Sequence, residues 1–166
     1  MKAIIHSPLV NPAIEDLRSS LGLESQEDLH LTWFALELDD EKKEMLLQAI
    51  NNVSQRFLPI ETISEGITTT SYGVTRIAIA KTKQIQDLHE AIVKASIEFR
   101  NPDLPSKTMN FYDTMPSKEK QMVDKYGRPN VMAHYCPHVS LGRTKIILEL
   151  DTKHNIFLSD VGIRFS

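Results

Sequence analysis

Two short segments of the sequence place a histidine and a hydroxyl on the same face of an apolar strand. Residues 135–143 contain His138 and Ser140, and residues 29–38 contain His30 and Thr32; in each pair one apolar residue lies between the two. Side chains two positions apart on a strand point to the same face. An imidazole titrates near neutral pH, and a hydroxyl can donate a hydrogen bond. Each pair therefore suits a site that handles phosphate.

The occurrence of both pairs in one chain is more informative than either pair alone. The chain has six histidines, and the other four lack the His-x-Ser/Thr pattern. Both pairs lie in apolar runs, one in each half of the chain, where an unpaired imidazole is costly to bury. A single short motif of this kind indicates a histidine hydrogen-bonded within a sheet, whereas the two together indicate a functional site.

The pattern of apolar residues predicts strands and helices that alternate along the chain. Asn11-Pro12 is typical of a helix start. The region between 101 and 134 is the least regular, with a short helix near 117–125, and it indicates a long connection or insertion. We predict strands at 2–10, 29–38, 60–71, 75–80, 135–143 (extended by 144–150) and 155–165, and helices at 11–22, 39–57 and 84–99. The run 29–38 predicts a strand buried on both faces over most of its length. This order predicts an α+β fold.

The composition limits the classes of function. The 166 residues fit one domain, residues 1–166, and 41% apolar with 25% charged residues is typical of a soluble globular protein. A net charge of −3 argues against a protein that coats long duplex nucleic acid, but it allows a small nucleotide in a local pocket. The single cysteine, Cys136, excludes an internal disulfide and favours a reducing, cytoplasmic location. We expect no signal peptide and no membrane span.

The two histidine segments resemble the motifs of a known superfamily. Leu29-His30-Leu31-Thr32 and Pro137-His138-Val139-Ser140-Leu141-Gly142-Arg143 are similar to the paired H-x-T/S-x motifs of the two-histidine (2H) phosphoesterases, which include the 2′-5′ RNA ligases and RNA 2′,3′-cyclic phosphodiesterases. The resemblance covers most of the chain in element order and motif spacing. It implies two pseudo-symmetric lobes, each an antiparallel sheet with outer helices, with the motif strands facing each other across a cleft.

The resemblance also implies a role for each motif residue. His30 and His138 would be the acid/base pair, with His30 as the proton donor and His138 as the acceptor. Thr32 and Ser140 would hold the phosphate oxygens, and no metal or other cofactor is required. Arg143 matches a position where RNA-ligase-like members often carry arginine, so it would contact phosphate. Strict alternation, however, places Arg143 on the face opposite His138 unless the strand bulges or ends there.

Several alternative interpretations of these residues stay open. His134, Cys136 and His138 at alternate positions could converge on a zinc ion, although Pro137 disturbs the strand. Arg143 could be an ordinary surface cation, and nothing in the sequence marks the thiol of Cys136 as activated. Four aromatic side chains could stack on a base, although core or loop packing explains each of them as well: Tyr72, Phe111, Tyr112 and Tyr135.

From the sequence we therefore expect a monomeric, metal-independent phosphodiesterase acting on a small nucleotide or an RNA end. Its substrate would carry a 2′,3′-cyclic phosphate or a 2′-5′ linkage. A 2′-5′ oligoadenylate, a cyclic oligonucleotide signal and an ADP-ribose cyclic phosphate all fit the same chemistry. The rival hypothesis is a catalytically silent nucleotide- or RNA-binding module on the same fold. The intact acid/base pair argues against the rival, because a protein that only binds needs no such pair.

Overall fold

The structure, a computed structural model, describes residues 1–23, 27–104 and 107–166, without the side chains of 107–109. In this part of the chain there are four α-helices: α1 (Pro12–Ser20), α2 (Lys43–Ser54), α3 (Lys83–Ser96) and α4 (Ser117–Tyr126). There are eight strands: β1 (Lys2–Pro8), β2 (His30–Glu37), β3 (Ile60–Thr69), β4 (Val74–Ile79), β5 (His138–Arg143), β6 (Glu149–Leu150), β7 (Asn155–Leu158) and β8 (Gly162–Phe165). The predicted α+β class is confirmed.

The strands form one sheet in which every observed pairing is antiparallel. The order is β6-β3-β4-β5-β2-β1-β8, and β7 pairs with the first half of β3. The two strands that carry the His-x-Ser/Thr motifs, β2 and β5, are neighbours near the middle of this order. Residues from opposite halves of the chain are therefore brought together by direct strand pairing.

One face of the sheet is packed in the core and the other carries the polar residues of the motifs. In β4 the side chains of Thr75, Ile77 and Ile79 are buried, and the residues between them are only half-buried. In β5 the buried positions are Val139 and Leu141. The side chains of α2 and α3 belong to the same core, and α3 packs against β2. The alternation of buried and open positions is the one expected for a half-covered antiparallel sheet.

Two helices begin where the sequence predicts, whereas the helix predicted over 39–57 is an α-helix only over Lys43–Ser54, after a short 3₁₀ helix at Asp40–Lys42. The side chain of Asn11 accepts a hydrogen bond from the backbone N–H of Ile14 at 3.3 Å, and Pro12 occupies the first helical position of α1. Thr82 caps α3 in the same way, by accepting from the N–H of Ile85. The predicted amphipathic pattern of α3 is confirmed, and its buried face consists of Ile85, Leu88, His89, Ile92, Val93 and Ser96.

A β-bulge explains the unusually apolar run in β2. Ile5 of β1 pairs with Phe34, but the next residue, His6, pairs with Thr32, so Trp33 is an extra residue. The bulge changes the phase of the strand, and both Trp33 and Phe34 are buried. The Trp33 Nε1–H donates to the hydroxyl of Ser7 at 2.8 Å. Burial on both faces, predicted for this strand, is therefore wrong for its first half, where His30 and Thr32 lie on the open face.

The C-terminal region also differs from the prediction. The segment 144–150 does not extend β5; it leaves the strand and forms the short β6 against β3. The single strand predicted over 155–165 is two strands, because the chain turns at Ser159-Asp160, where the Asp160 carboxylate accepts from the N–H of Val161 at 2.8 Å. The turn allows β8 to pair with β1 at the opposite side of the sheet from β7.

The irregular region after α3 is attached to β2 by an ion pair. The Arg128 guanidinium lies 2.6 Å from a carboxylate oxygen of Glu37, and its Nε–H donates to the carbonyl of Ala35. Glu37 is buried, so this contact is well shielded from solvent. None of the helices in the described ranges is both long and apolar enough to cross a membrane.

A buried histidine connects the two motif strands. The Nδ1–H of His89 donates to the carbonyl of Trp33 in β2, and its Nε2 accepts from the N–H of Met132, shortly before β5. The ring stacks on Tyr135 with a centroid distance of 3.8 Å, and the Tyr135 hydroxyl donates to the carbonyl of Thr32. An imidazole that both donates and accepts in this way is neutral. Burial lowers the pKa of His89 to about 4.

We expect this histidine to make the stability of the protein depend on pH. The unfolded chain takes up a proton on His89 near pH 6.5, whereas the folded chain resists protonation until about pH 4. The free energy of unfolding should therefore fall with decreasing pH in this window, by about 1.4 kcal/mol per pH unit from this group. Urea denaturation between pH 4.5 and 7 measures the slope.

The variant His89→Gln should be less stable at neutral pH but should lose this part of the slope. His134→Gln is the matched control, because His134 is exposed, and it should keep the slope of the wild type. Equal slopes in the wild type and His89→Gln would show that another group is responsible.

Candidate active site on the open face of the sheet

The pairing of β2 with β5 brings the two predicted motifs together. Leu31 pairs with Val139, and both side chains are buried in the core. In an antiparallel register this places His30 across from Ser140 and Thr32 across from His138, on the opposite, open face. His30 and His138 are half-buried, and Ser140 is exposed.

The two imidazoles are oriented by equivalent backbone hydrogen bonds. Nδ1 of His30 lies 2.8 Å from the carbonyl oxygen of Asp28, and Nδ1 of His138 lies 2.9 Å from that of Cys136. In both cases the partner is the carbonyl two residues earlier, which can only accept, so Nδ1 carries the proton. The Nε2 atom of each ring is consequently the one that can exchange a proton with a ligand.

The environment of His138 favours its neutral form. Burial is the largest cause that lowers its pKa, and the positive charge of Arg76 lowers it further, as does that of His30 whenever His30 is protonated; the Cys136 carbonyl has a raising effect. A neutral imidazole whose Nε2 bears a lone pair can act as a general base. His30 therefore lies close enough to His138 for a charge on the first ring to act on the second.

Arg76 is a candidate site residue that the motif analysis missed. It lies on β4, directly across from Ser140, and it therefore shares the open face with the motif residues. Its neighbours Thr75 and Ile77 are buried on the other face. The signal was present in the sequence: one arginine among the apolar residues of a short strand is unusual unless it has a partner or a ligand.

Two further missed residues surround His30. The Arg164 Nη2–H donates to Nε2 of His30 at 3.3 Å, and the same nitrogen lies 3.7 Å from a carboxylate oxygen of Glu27. The ring of His6 meets that of His30 edge to face, with centroids 5.3 Å apart. Burial, then the charges of His30 and Arg164, lower the pKa of His6, while Asp160 opposes them. Arg164 is the only charged residue of β8, which was again a signal in the sequence.

A second bulge decides where Arg143 lies. Arg76 pairs with Ser140 and the preceding Thr75 pairs with Gly142, so Leu141 is an extra residue in β5. Gly142 has a φ of 146°, which glycine adopts far more readily than other residues. The changed phase places Arg143 across from Val74, on the same face as Arg76. Arg143 is exposed, and its Nη1–H donates to the carbonyl of Tyr72 at 3.4 Å. Its contact with phosphate stays a prediction.

The alternative of a zinc site finds no support in the geometry of its proposed ligands. Nδ1 of His138 is bound to the Cys136 carbonyl, and the thiol of Cys136 contacts the carbonyl of His134 at 3.5 Å. Within 1–23, 27–104 and 107–166, no group of three or more His, Cys, Asp or Glu side chains is arranged to hold a metal ion.

The aromatic side chains divide into buried and exposed groups. Tyr135 is in the core, stacked on His89, so its interpretation as core is confirmed; Trp33 and Phe34 are also core residues. The Tyr112 hydroxyl donates to Asp124. Tyr72 and Phe111 are exposed over 70% and 64% of their surface, and only Tyr72 of these two lies beside Arg143.

We expect the variant Arg76→Gln to raise the pKa of His138 towards 6.5, because it removes a neighbouring positive charge. The pKa should stay below 6.5, since burial is the larger cause and is unchanged. Titration of the imidazole by NMR measures this shift, and the same spectra should show the Nδ1–H tautomer for His30 and His138. Arg56→Gln is the control, because Arg56 is exposed and does not act on His138. Identical titration of His138 in the two variants would contradict the assigned role of Arg76.

Comparison with known proteins gives one family. A family described as "Protein of unknown function (DUF1045)" matches residues 34–155. No curated protein matches the chain. The matched range contains Arg76, His138, Ser140 and Arg143, and it begins after His30 and Thr32. Because the match covers well over half of the sequence, the chain belongs to this family of proteins of unknown function, DUF1045.

Proposed function

We propose that this protein is a metal-independent phosphodiesterase of the 2H phosphoesterase type, which hydrolyses a 2′,3′-cyclic phosphate or a 2′-5′ phosphodiester in a nucleotide or at an RNA end. The observation that carries the proposal is the equivalent orientation of His30 and His138. Both rings donate Nδ1–H to a backbone carbonyl, so Nε2 is the atom that exchanges a proton with the substrate. Both lie on one open face of the sheet, which also carries Arg76 and Arg164.

The reaction needs one imidazole in each protonation state. Neutral His138 takes a proton from water through Nε2 while the water oxygen forms a bond to phosphorus. The bond from phosphorus to the leaving ribose oxygen breaks, and protonated His30 gives its Nε2 proton to that oxygen. Thr32 and Ser140, which lie across from the two histidines, donate hydrogen bonds to the non-bridging oxygens as negative charge develops.

Arg164 explains how His30 changes protonation state. An Arg N–H that donates to Nε2 requires the lone pair of a neutral ring, so His30 is neutral in this arrangement. A bound phosphate attracts the guanidinium more strongly than a neutral imidazole does, because Arg–phosphate contacts are charge-assisted. When Arg164 turns to the phosphate, Nε2 of His30 becomes available for a proton. Nδ1 of His6 and Nε of Arg164 are buried and have no hydrogen-bond partner among the described residues, as expected beside a polar ligand.

The arrangement of strands supports an approximate two-fold relation between the halves of the proposed enzyme. β2 with β1 and β8 lies on one side of the Leu31–Val139 pairing, and β5 with β4 and β3 lies on the other. Each half supplies a motif histidine, its hydroxyl residue and at least one arginine. In the proposed fold these are two lobes that face a common phosphate. The relation would allow the histidines to exchange roles in the ligating direction.

We expect His30→Ala and His138→Ala each to reduce the hydrolysis of 2′,3′-cyclic nucleotides by about 10²- to 10⁴-fold, the usual contribution of a general acid or base. The assay contains EDTA, and the wild type should stay active with a bell-shaped pH profile. His134→Ala is the control, because it removes an exposed histidine close to the site in sequence. Full activity in both substituted proteins would rule out the mechanism. Binding of the nucleotide without hydrolysis by the wild type would instead favour a silent binding module.

We expect Arg164→Gln to lower kcat/KM by at least about tenfold, because it removes a charge-assisted contact to phosphate. Arg164→Lys should recover part of the loss, since it keeps the charge without the planar fork. The control is Arg56→Gln, which removes an exposed arginine. Steady-state kinetics on the same cyclic nucleotide measures all three. Unchanged kcat/KM in Arg164→Gln would remove Arg164 from the phosphate site.

A further inference from the structure

A cleft lies at the end of β5, next to the candidate active site. It is formed by the turn between β3 and β4 and by the residues that follow β5, and it has a volume of 730 Å³. Residues 69–73, 143–145 and Ile147 line it. Arg143 lines the cleft and is also the last residue of β5, the strand that carries His138 and Ser140.

The charge and hydrogen-bonding groups of the cleft suit an anion. Arg143 and Lys145 supply two positive charges, and none of the described residues that line the cleft is acidic, although the protein as a whole has a net charge of −3. The hydroxyl of Thr70 accepts from the N–H of Val74, and that of Thr144 accepts from the N–H of Ile146. Each hydroxyl keeps its own hydrogen, which is free to donate to an oxygen anion.

The cleft also presents a flat aromatic surface. Tyr72 is 70% exposed and Ile147 is 82% exposed, so large apolar surfaces lie beside the cations without being buried in the protein. An exposed aromatic ring next to an arginine and a lysine is the combination that binds single-stranded nucleic acid, with the ring stacked on a base and the cations on the phosphate.

The cleft lies on the same face of the sheet as the two motif histidines, a short distance along β5. The bulge at Leu141 places Arg143 on the same face as Arg76, and Arg76 lies across from Ser140. Because Leu141 is an extra residue, Ser140 and Arg143 are separated by the length of only two regular strand residues, or about 7 Å. A ligand held between the histidines can therefore continue along β5 into the cleft without crossing the sheet.

We propose that this cleft binds the nucleotide unit next to the scissile phosphate, with its base on Tyr72 and its phosphate between Arg143 and Lys145. This inference rests on the proposed function and narrows it. The preferred substrate is then an oligonucleotide end with at least two nucleotide units, and a mononucleotide cyclic phosphate fills only the catalytic half of the site.

The test compares two substrates with the same scissile bond: adenosine 2′,3′-cyclic monophosphate and a diadenylate that ends in the same cyclic phosphate. The wild type should have a kcat/KM at least about tenfold higher for the dinucleotide, from stacking of one base. Tyr72→Ala and Lys145→Ala should each remove most of this advantage and leave kcat/KM for the mononucleotide within about twofold.

The matched controls are Phe111→Ala, which removes another exposed aromatic ring, and Lys153→Ala, which removes another exposed lysine. Both should keep the wild-type preference for the dinucleotide. An equal loss on both substrates in Tyr72→Ala and Lys145→Ala would overturn the proposal, and so would no loss on either.

Direct binding separates this proposal from the proposed function. If the wild type hydrolyses neither substrate, the phosphodiesterase proposal fails, and calorimetric titration with the same dinucleotide still tests the cleft. Tyr72→Ala should then bind about tenfold more weakly than the wild type, with Phe111→Ala unchanged. Equal affinity in all three proteins, or no measurable binding by the wild type, would overturn the cleft assignment.

Discussion

The arrangement of the candidate site depends on the pairing of Leu31 with Val139. Both side chains are buried in the core, so their burial fixes which face of each strand is open. A shift of one residue in either strand would bury a histidine and its hydroxyl and expose the apolar residues. The His89–Tyr135 stack opposes such a shift, because it is hydrogen-bonded to Trp33 and Thr32 on one strand and to the segment that leads into the other.

The electrostatics of the open face follow from this geometry. Burial and the positive charge of Arg76 lower the pKa of His138, and burial with His30 and Arg164 lowers that of His6, so the neutral forms of His138 and His6 are favoured. A phosphate changes this balance, because its negative charge favours protonated imidazole and attracts the guanidinium groups. The face is thus prepared to gain a proton when an anion binds, which is the requirement of acid/base chemistry that uses one neutral and one protonated histidine.

Local periodicity was sufficient to predict much of the fold and part of the site. The two-residue period placed His138 with Ser140 and His30 with Thr32, and the apolar spacing identified α3. Periodicity could not show that β2 would pair with β5, since this pairing joins distant segments and depends on the whole core. Periodicity also could not predict that Arg164 lies beside His30, because β8 reaches that position only after the turn at Ser159-Asp160. An isolated arginine in an apolar strand was a usable signal, but it did not identify the partner.

The two bulges, at Trp33 and Leu141, decide which side chains of β2 and β5 lie on the open face of the sheet. If Trp33 were paired regularly instead of bulged, the phase of β2 that buries Phe34 would also turn Thr32 and His30 towards the core. If Leu141 were paired regularly instead of bulged, Arg143 would lie on the core face with Thr75 and Ile77, where an unpaired guanidinium is costly. Gly142, at φ 146°, allows the chain to absorb that residue. The resemblance in sequence and the strict alternation of a strand gave opposite orientations for Arg143, and the bulge reconciles them because it inserts one residue between the histidine and the arginine.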